Sequence, residues 1–147
     1  MNHTPLATLE NPELWLSIFR FTDSVDPTIV HEDMQLCRLY QSGMHRVFQS
    51  LPHDRPYLAI RLSVDDTIAT GSWERQFSDF ANARIWGALQ MVVDNKTRSF
   101  KGVWVGFDSS IQVMTGSWEI KPAGKQFLSW APQTVRSSFG CDNLAID

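Results

Sequence analysis

Met34-Gln35-Leu36-Cys37-Arg38-Leu39-Tyr40-Gln41-Ser42-Gly43-Met44-His45-Arg46-Val47-Phe48-Gln49-Ser50-Leu51 is the stretch on which the fold class turns. Met34, Cys37, Tyr40, Met44, Phe48 and Leu51 recur at steps of three, three, four, four and three. That spacing puts them on one face of an α-helix and predicts an amphipathic helix of about six turns, which Gly43 weakens slightly. Asp26-Pro27 upstream supplies a helix-start signal, and Leu51-Pro52-His53-Asp54-Arg55-Pro56 stops the element. A shorter helix is expected before it: Asn11-Pro12-Glu13 reads as N-cap, first-turn proline and first-turn acid, followed by the apolar stripe Leu14, Trp15, Ile18, Phe19 and Phe21. Glu32 and Asp33, beside His31 at the head of the long helix, suit its dipole. His31 and His45 would stand about 21 Å apart along the axis, too far to share a metal ion.

From Tyr57 onward the period changes from three-and-four to two. Strands are expected near 57–64, 67–76, 84–94, 98–107 and 110–121, with a further one near 125–130. Val64-Asp65-Asp66, Asp94-Asn95-Lys96-Thr97 and Asp108-Ser109-Ser110 read as tight turns, and connections that short require antiparallel neighbours. The whole of 1–147 is therefore read as a single α+β domain. Two N-terminal helices within about 11–51 precede a curved antiparallel meander over about 57–130, partly closed like a barrel, and a short C-terminal tail ends it.

Composition narrows the function. The 147 residues carry a net charge of −3, with the Arg and Lys residues scattered singly, so the electrostatic footprint of general nucleic-acid binding is missing. The two cysteines, Cys37 and Cys141, have no motif spacing. Met1-Asn2-His3-Thr4-Pro5 lacks the pattern of a secretory signal, and no apolar run approaches the length of a membrane helix, so the expectation is a cytoplasmic protein with no membrane role. There is no GxGxxG, GxxxxGK[ST], HExxH, CxxC or GxSxG sequence, and no cofactor or metal is expected.

The unusual feature is aromatic: six Trp and nine Phe against two Tyr. Thr70-Gly71-Ser72-Trp73-Glu74 recurs as Thr115-Gly116-Ser117-Trp118-Glu119, each copy on the second strand of a tight hairpin. Glycine inside a strand marks a close approach, and the simplest account is that a neighbouring Trp lies across it. Placing the strands side by side gives one aliphatic face (Ile85, Leu89, Met91, Val93, Val103, Val105, Ile111, Val113). The other mixes wide aromatics with Gly and amides: Trp73, Trp86, Gln90, Trp104, Gln112, Met114 and Trp118. Three readings of that second face stand side by side: a ligand cavity with bulk interrupted by glycine, ordinary core in a sheet curled on itself, or a homodimer surface. Glu74 and Glu119 are the candidate acid–base pair, with solvated rim carboxylates as the plainer account.

At Gly71-Ser72-Trp73, Gly102-Val103-Trp104 and Gly116-Ser117-Trp118 the strands resemble the Gly-x-Trp signature of lipocalin-like (calycin) barrels, over about residues 66–121. Those barrels usually carry one such motif and eight strands, where this sequence has three motifs and about six expected strands. The preceding helices look more like an α+β cone of the nuclear-transport-factor-like kind. Both resemblances imply a cradle for an apolar ligand, and both families include small cofactor-free cyclases and isomerases. The resulting expectation is a small, largely apolar molecule bound in a Trp-lined cavity, with isomerase or cyclase chemistry as its sharper form. The alternative is a protein-interaction or sensor module that uses the aromatic face.

Overall fold

The computed structural model describes residues 4–5, 14–23, 25–52, 56–77, 84–108 and 110–124. Every regular element among them is a strand: β1 (Thr4–Pro5), β2 (Leu14–Thr22), β3 (Val30–Ser42), β4 (His45–Ser50), β5 (Tyr57–Asp65), β6 (Ile68–Gln76), β7 (Arg84–Asp94), β8 (Ser99–Phe107) and β9 (Val113–Pro122). From β2 to β9 each strand pairs antiparallel with the next, and β9 returns to pair with β2 from Trp15 opposite Pro122 to Phe21 opposite Gly116. The result is a closed, eight-stranded, up-and-down barrel, consistent with a lipocalin-like barrel, with β1 as a short flank beside the end of β3.

Among the described residues the two expected helices are not there, and the fold is all-β rather than α+β. Leu14–Thr22 is strand β2, and the 34–51 stretch is a hairpin, with Ser42 opposite His45 across the turn at Gly43-Met44. Gly43, read as a weak point within a helix, holds φ +61 and makes that turn. The three-and-four spacing misled for a physical reason. Strands buried on both faces carry apolar residues on both faces, so the period of two disappears. In β2 every residue from Leu14 to Phe19 is buried, and in β3 outward Leu36 is as buried as inward Cys37. Leu14, Leu16, Ile18, Leu36 and Leu51 form a separate apolar cluster on the outer side of this half of the wall. The five strands expected from Tyr57 to residue 121 are present with ends shifted by a few residues; the one expected near 125–130 lies outside the described residues.

The lumen is the apolar side. Trp15, Phe19, Phe48, Trp73, Trp104 and Trp118 fill it with aliphatic neighbours from β3, β5, β6, β7 and β9. The outer wall carries ion pairs such as Arg20–Glu32, Lys101–Glu119 and Arg84–Glu74. Among the described residues no helix is long and apolar enough to cross a membrane.

Three indoles brace the lumen in one repeated way. Trp73 of β6 reaches across Gly87 of β7 and shares its N–H between the carbonyls of Ala88 and Val105, each at 3.2 Å. Trp104 of β8 lies over Gly116 of β9 and donates to the Arg20 carbonyl of β2 (3.1 Å) and to that of Ser117 (3.2 Å). Trp118 donates to Ser17 Oγ at 2.8 Å. These buried donors are satisfied without solvent, which lets so much indole sit in the core. The plain account holds for Gly116, where a Cβ would strike the Trp104 ring, and Gly106 stands in the same way against the Trp73 ring; at Gly71 and Gly102 a Cβ would strike the backbone of the neighbouring strand instead.

Candidate functional site

The two ends of the barrel differ. At the end that holds the turns at 43–44, 66–67 and 95–98, Trp15 packs edge-on to Phe48 (5.3 Å) and against Phe100 (6.1 Å), and the Arg98 guanidinium stacks 5.3 Å over Trp15. That end is packed with rings, and Val64 and Val93 are half-buried at its edge. At the other end, where β2 passes into β3 and β8 into β9, the lumen-facing residues Phe21, Ile85 and Met114 are only half-buried, and Phe77 is half-exposed. The connecting segments there present further aliphatic side chains to solvent, Val25 at 89% and Ile111 at 74% exposure. This open mouth has an apolar wall.

Its floor is aromatic. Phe19 stacks on Trp104 at 4.6 Å and meets Trp118 edge-on at 4.7 Å, and Trp73 contacts both indoles at 5.2 and 5.3 Å. Over this floor lies Arg75. It projects inward because it shares the parity of Gly71 and Trp73 on β6, and its guanidinium sits 4.7 Å from the Phe19 centroid and 5.2 Å from that of Phe77. Its Nη2 donates to Asp33 Oδ2 at 3.1 Å, a contact made across the lumen, since β6 and β3 are three strands apart. The Arg75 side chain is 4% exposed and Asp33 46%. Burial pulls the Arg75 pKa down from its usual value, and the Asp33 charge opposes that shift. Among the described residues Arg75 Nε is buried with no hydrogen-bond partner.

His31 and Asp23 edge the same mouth. His31 stacks on Phe21 at 5.1 Å, and its Nε2 lies 2.9 Å from Asp23 Oδ1. Asp23 also accepts from the Asp26 and Val25 amides, and the His31 contact is the main cause of a pKa lowered from 3.8 to about 2. A carboxyl that binds protons less readily in the folded state than in the unfolded one stabilises the fold above its unfolded pKa. That stability is lost as pH falls from about 4 towards 2. The expected result is a cooperative change in the Val25 and Asp26 amide signals over that interval, and its absence from Asp23→Asn.

The turn at 108–112 stores strain. Asp108 accepts from the Ser110 hydroxyl (2.6 Å), the Ser110 amide (2.9 Å) and the Gln112 amide (3.1 Å), and these bonds, the Ser110 hydroxyl first, hold its carboxyl below the usual range. Ile111 within this cage has φ +62, a conformation that costs a β-branched residue about 1–3 kcal/mol. Ile111→Asn, which tolerates that region, should raise Tm by about 2–4 °C in a thermal melt.

The expected site residues separate into groups. Trp73, Trp104 and Trp118 point into the lumen at 1–3% exposure and form the floor, and Met114 stands in the wall above them. The glycines beside them leave no gap, because indoles occupy that space at Gly106 and Gly116 and neighbouring backbone occupies it at Gly71 and Gly102. Trp86 and Gln90 belong to the outer wall, where Trp86 carries Arg84 at 5.2 Å from its ring, and Gln112 lies in the exposed turn. Glu74 and Glu119 are also on the outer wall, on strands three apart. Arg84 (3.2 Å) and Arg61 (3.7 Å) flank Glu74, while Lys101 (3.7 Å) and Arg20 (3.8 Å) flank Glu119. The structure does not bring the two carboxylates together or turn them towards the mouth. Phe21, Asp33, Phe77 and Ile85 were not expected as site residues; Arg75 shares the parity of Trp73 two positions before it, the signal that places it inside. Among the described residues no cluster of His, Cys, Asp or Glu has the geometry of a metal site. No family model, no curated protein and no solved structure matches the chain.

Proposed function

We propose that this barrel binds a small, largely apolar molecule at its open mouth. The observation that carries the reading is the asymmetry of the lumen. One end is packed with the rings of Trp15, Phe48 and Phe100 and leaves only Val64 and Val93 half-buried, whereas the other leaves Phe21, Ile85 and Met114 half-buried and Phe77 half-exposed over a buried aromatic floor. Lumen-facing apolar surface left partly in contact with water gains from being covered, at roughly 25 cal/mol per Å². Apolar walls with a few polar groups are how small-molecule sites are lined. The tight packing below the mouth means that the ligand sits on the floor and does not thread the barrel. The reading is of a binder: the two carboxylates expected to move protons are held by cations on the outside.

Met114→Trp tests it by filling the mouth from its own wall. Binding of 1-octanol, followed by calorimetry, should weaken at least about tenfold, the order expected when buried contact area is lost. Tm should hold within a few degrees, since Met114 is not part of the packed floor. Unchanged octanol affinity would place the ligand elsewhere or nowhere.

A further inference from the structure

Arg75 is not accounted for by an apolar ligand alone. A guanidinium taken out of water requires compensation, and its donors are costly to leave unmade. Among the described residues it has one ionic partner, Asp33, and one buried donor, Nε, with none. The two partners differ in what they would lose on separation. Asp33 is half-exposed and can be rehydrated where it stands; Arg75 is buried against Phe19 and cannot. Asp33 therefore behaves as a resident counter-ion that can be exchanged, while Arg75 is fixed.

We propose that Arg75 receives the anionic group of the bound molecule, and that this group is a carboxylate. Resting on the reading of the mouth as an apolar site, this assignment gives the ligand an apolar body against Phe21, Ile85 and Met114 and one carboxylate on Arg75. The two carboxylate oxygens take Nε and Nη2 in the side-by-side geometry that a guanidinium offers. Nε gains its missing acceptor, Nη2 exchanges one carboxylate for another, and Asp33 turns to water. No bond is made or broken. The charge of the site sets the class: a single guanidinium, already balanced by one carboxylate, balances one monoanion in its place, whereas a dianionic phosphate would leave an uncompensated charge beside Phe19 and Phe77.

The test is calorimetric titration of the full chain with sodium octanoate and, separately, with 1-octanol, which shares the alkyl body without the charge. Wild type should bind octanoate about tenfold or more tighter than octanol, the order of a charge-assisted hydrogen bond. Asp33→Asn removes the competing counter-ion, so octanoate should tighten about tenfold with octanol unchanged, and octanoate should raise the Tm of this variant more than that of wild type. Arg75→Gln should lose the preference for the acid. If that variant does not fold, the half-exposed Asp33→Asn arm decides alone. Equal affinities for acid and alcohol in wild type, or an Asp33→Asn protein that binds octanoate no tighter, would overturn the carboxylate assignment and leave the apolar mouth standing. Failure of both probes to bind would overturn both readings.

Discussion

Gly116→Ala should cost more than about 3 kcal/mol and lower Tm by about 10 °C or more, with loss of the near-ultraviolet signal of the indoles. Gly116 lies opposite Trp104 across the β8–β9 pairing, and its missing side chain is what the indole occupies. A Cβ there would land on the Arg20 carbonyl oxygen and 2.6 Å from Trp104 Nε1, inside the hydrogen bond that joins those two atoms at 3.1 Å. Relief would require the backbone of β2 to move away from β9 at the pairing that closes the barrel, or Trp104 to leave its contact with Phe19. Neither is a side-chain adjustment. Gly116→Ala combined with Trp104→Phe should recover part of the loss, because the smaller ring vacates the space and brings no N–H to satisfy. A Gly116→Ala protein that melts with the wild type would show that the indole is not seated across the glycine.

Trp104→Ala should destabilise by about 3–5 kcal/mol, the range for a large buried aromatic that leaves a cavity. The side chain is 3% exposed, stacks on Phe19, meets Trp73 edge-on, and ties β8 to the carbonyls of Ser117 and Arg20. Its removal also leaves those inward carbonyls without their donor, so Tm should fall by about 10 °C. Trp86→Ala is the control. Trp86 belongs to the outer wall, and its loss should move stability by no more than about 1 kcal/mol. Equal losses from the two substitutions would mean that the wall faces are assigned the wrong way round. The contrast also bears on the aromatic surface as a docking face for a partner, because Trp73, Trp104 and Trp118 are turned inward and would be available only if the barrel opened.

Where one face of a strand is open to solvent, the sequence announces its strands. Val103 and Val113 are exposed while Trp104 and Trp118 are buried, so alternation in β8 and β9 is visible, and the repeated Thr-Gly-Ser-Trp-Glu sets Gly and Trp inward with Glu outward in both copies. Where both faces are covered, as in β2 and β3, that contrast is gone and a three-and-four spacing fits as well as any other. The faces of β7 were mispaired for a smaller reason. Arg98, taken as the first residue of a strand, holds φ +57 and belongs to the turn, so that Asp94 stands opposite Ser99. One residue of turn reverses the parity of the next strand relative to the last, which moved Trp86 and Gln90 from the expected lining to the outer wall. The site was legible in its floor and not in its charge. Trp73, Trp104 and Trp118 stand out by type, whereas Asp33 was absorbed into a helix that does not exist and Arg75 meets it only through closure of the barrel.

Amide chemical-shift mapping with 1-octanol locates the ligand on the barrel, and the open end is where it should bind. Shifts should concentrate on Phe21, Asp33, Phe77, Ile85 and Met114, with the Trp73, Trp104 and Trp118 indole N–H signals moving as the floor is covered. Residues at the ring-packed end, Trp15, Phe48 and Phe100, should stay in place. Shifts centred on the ring-packed end or on the outer wall around Trp86, or no saturable shifts at all, would contradict that placement.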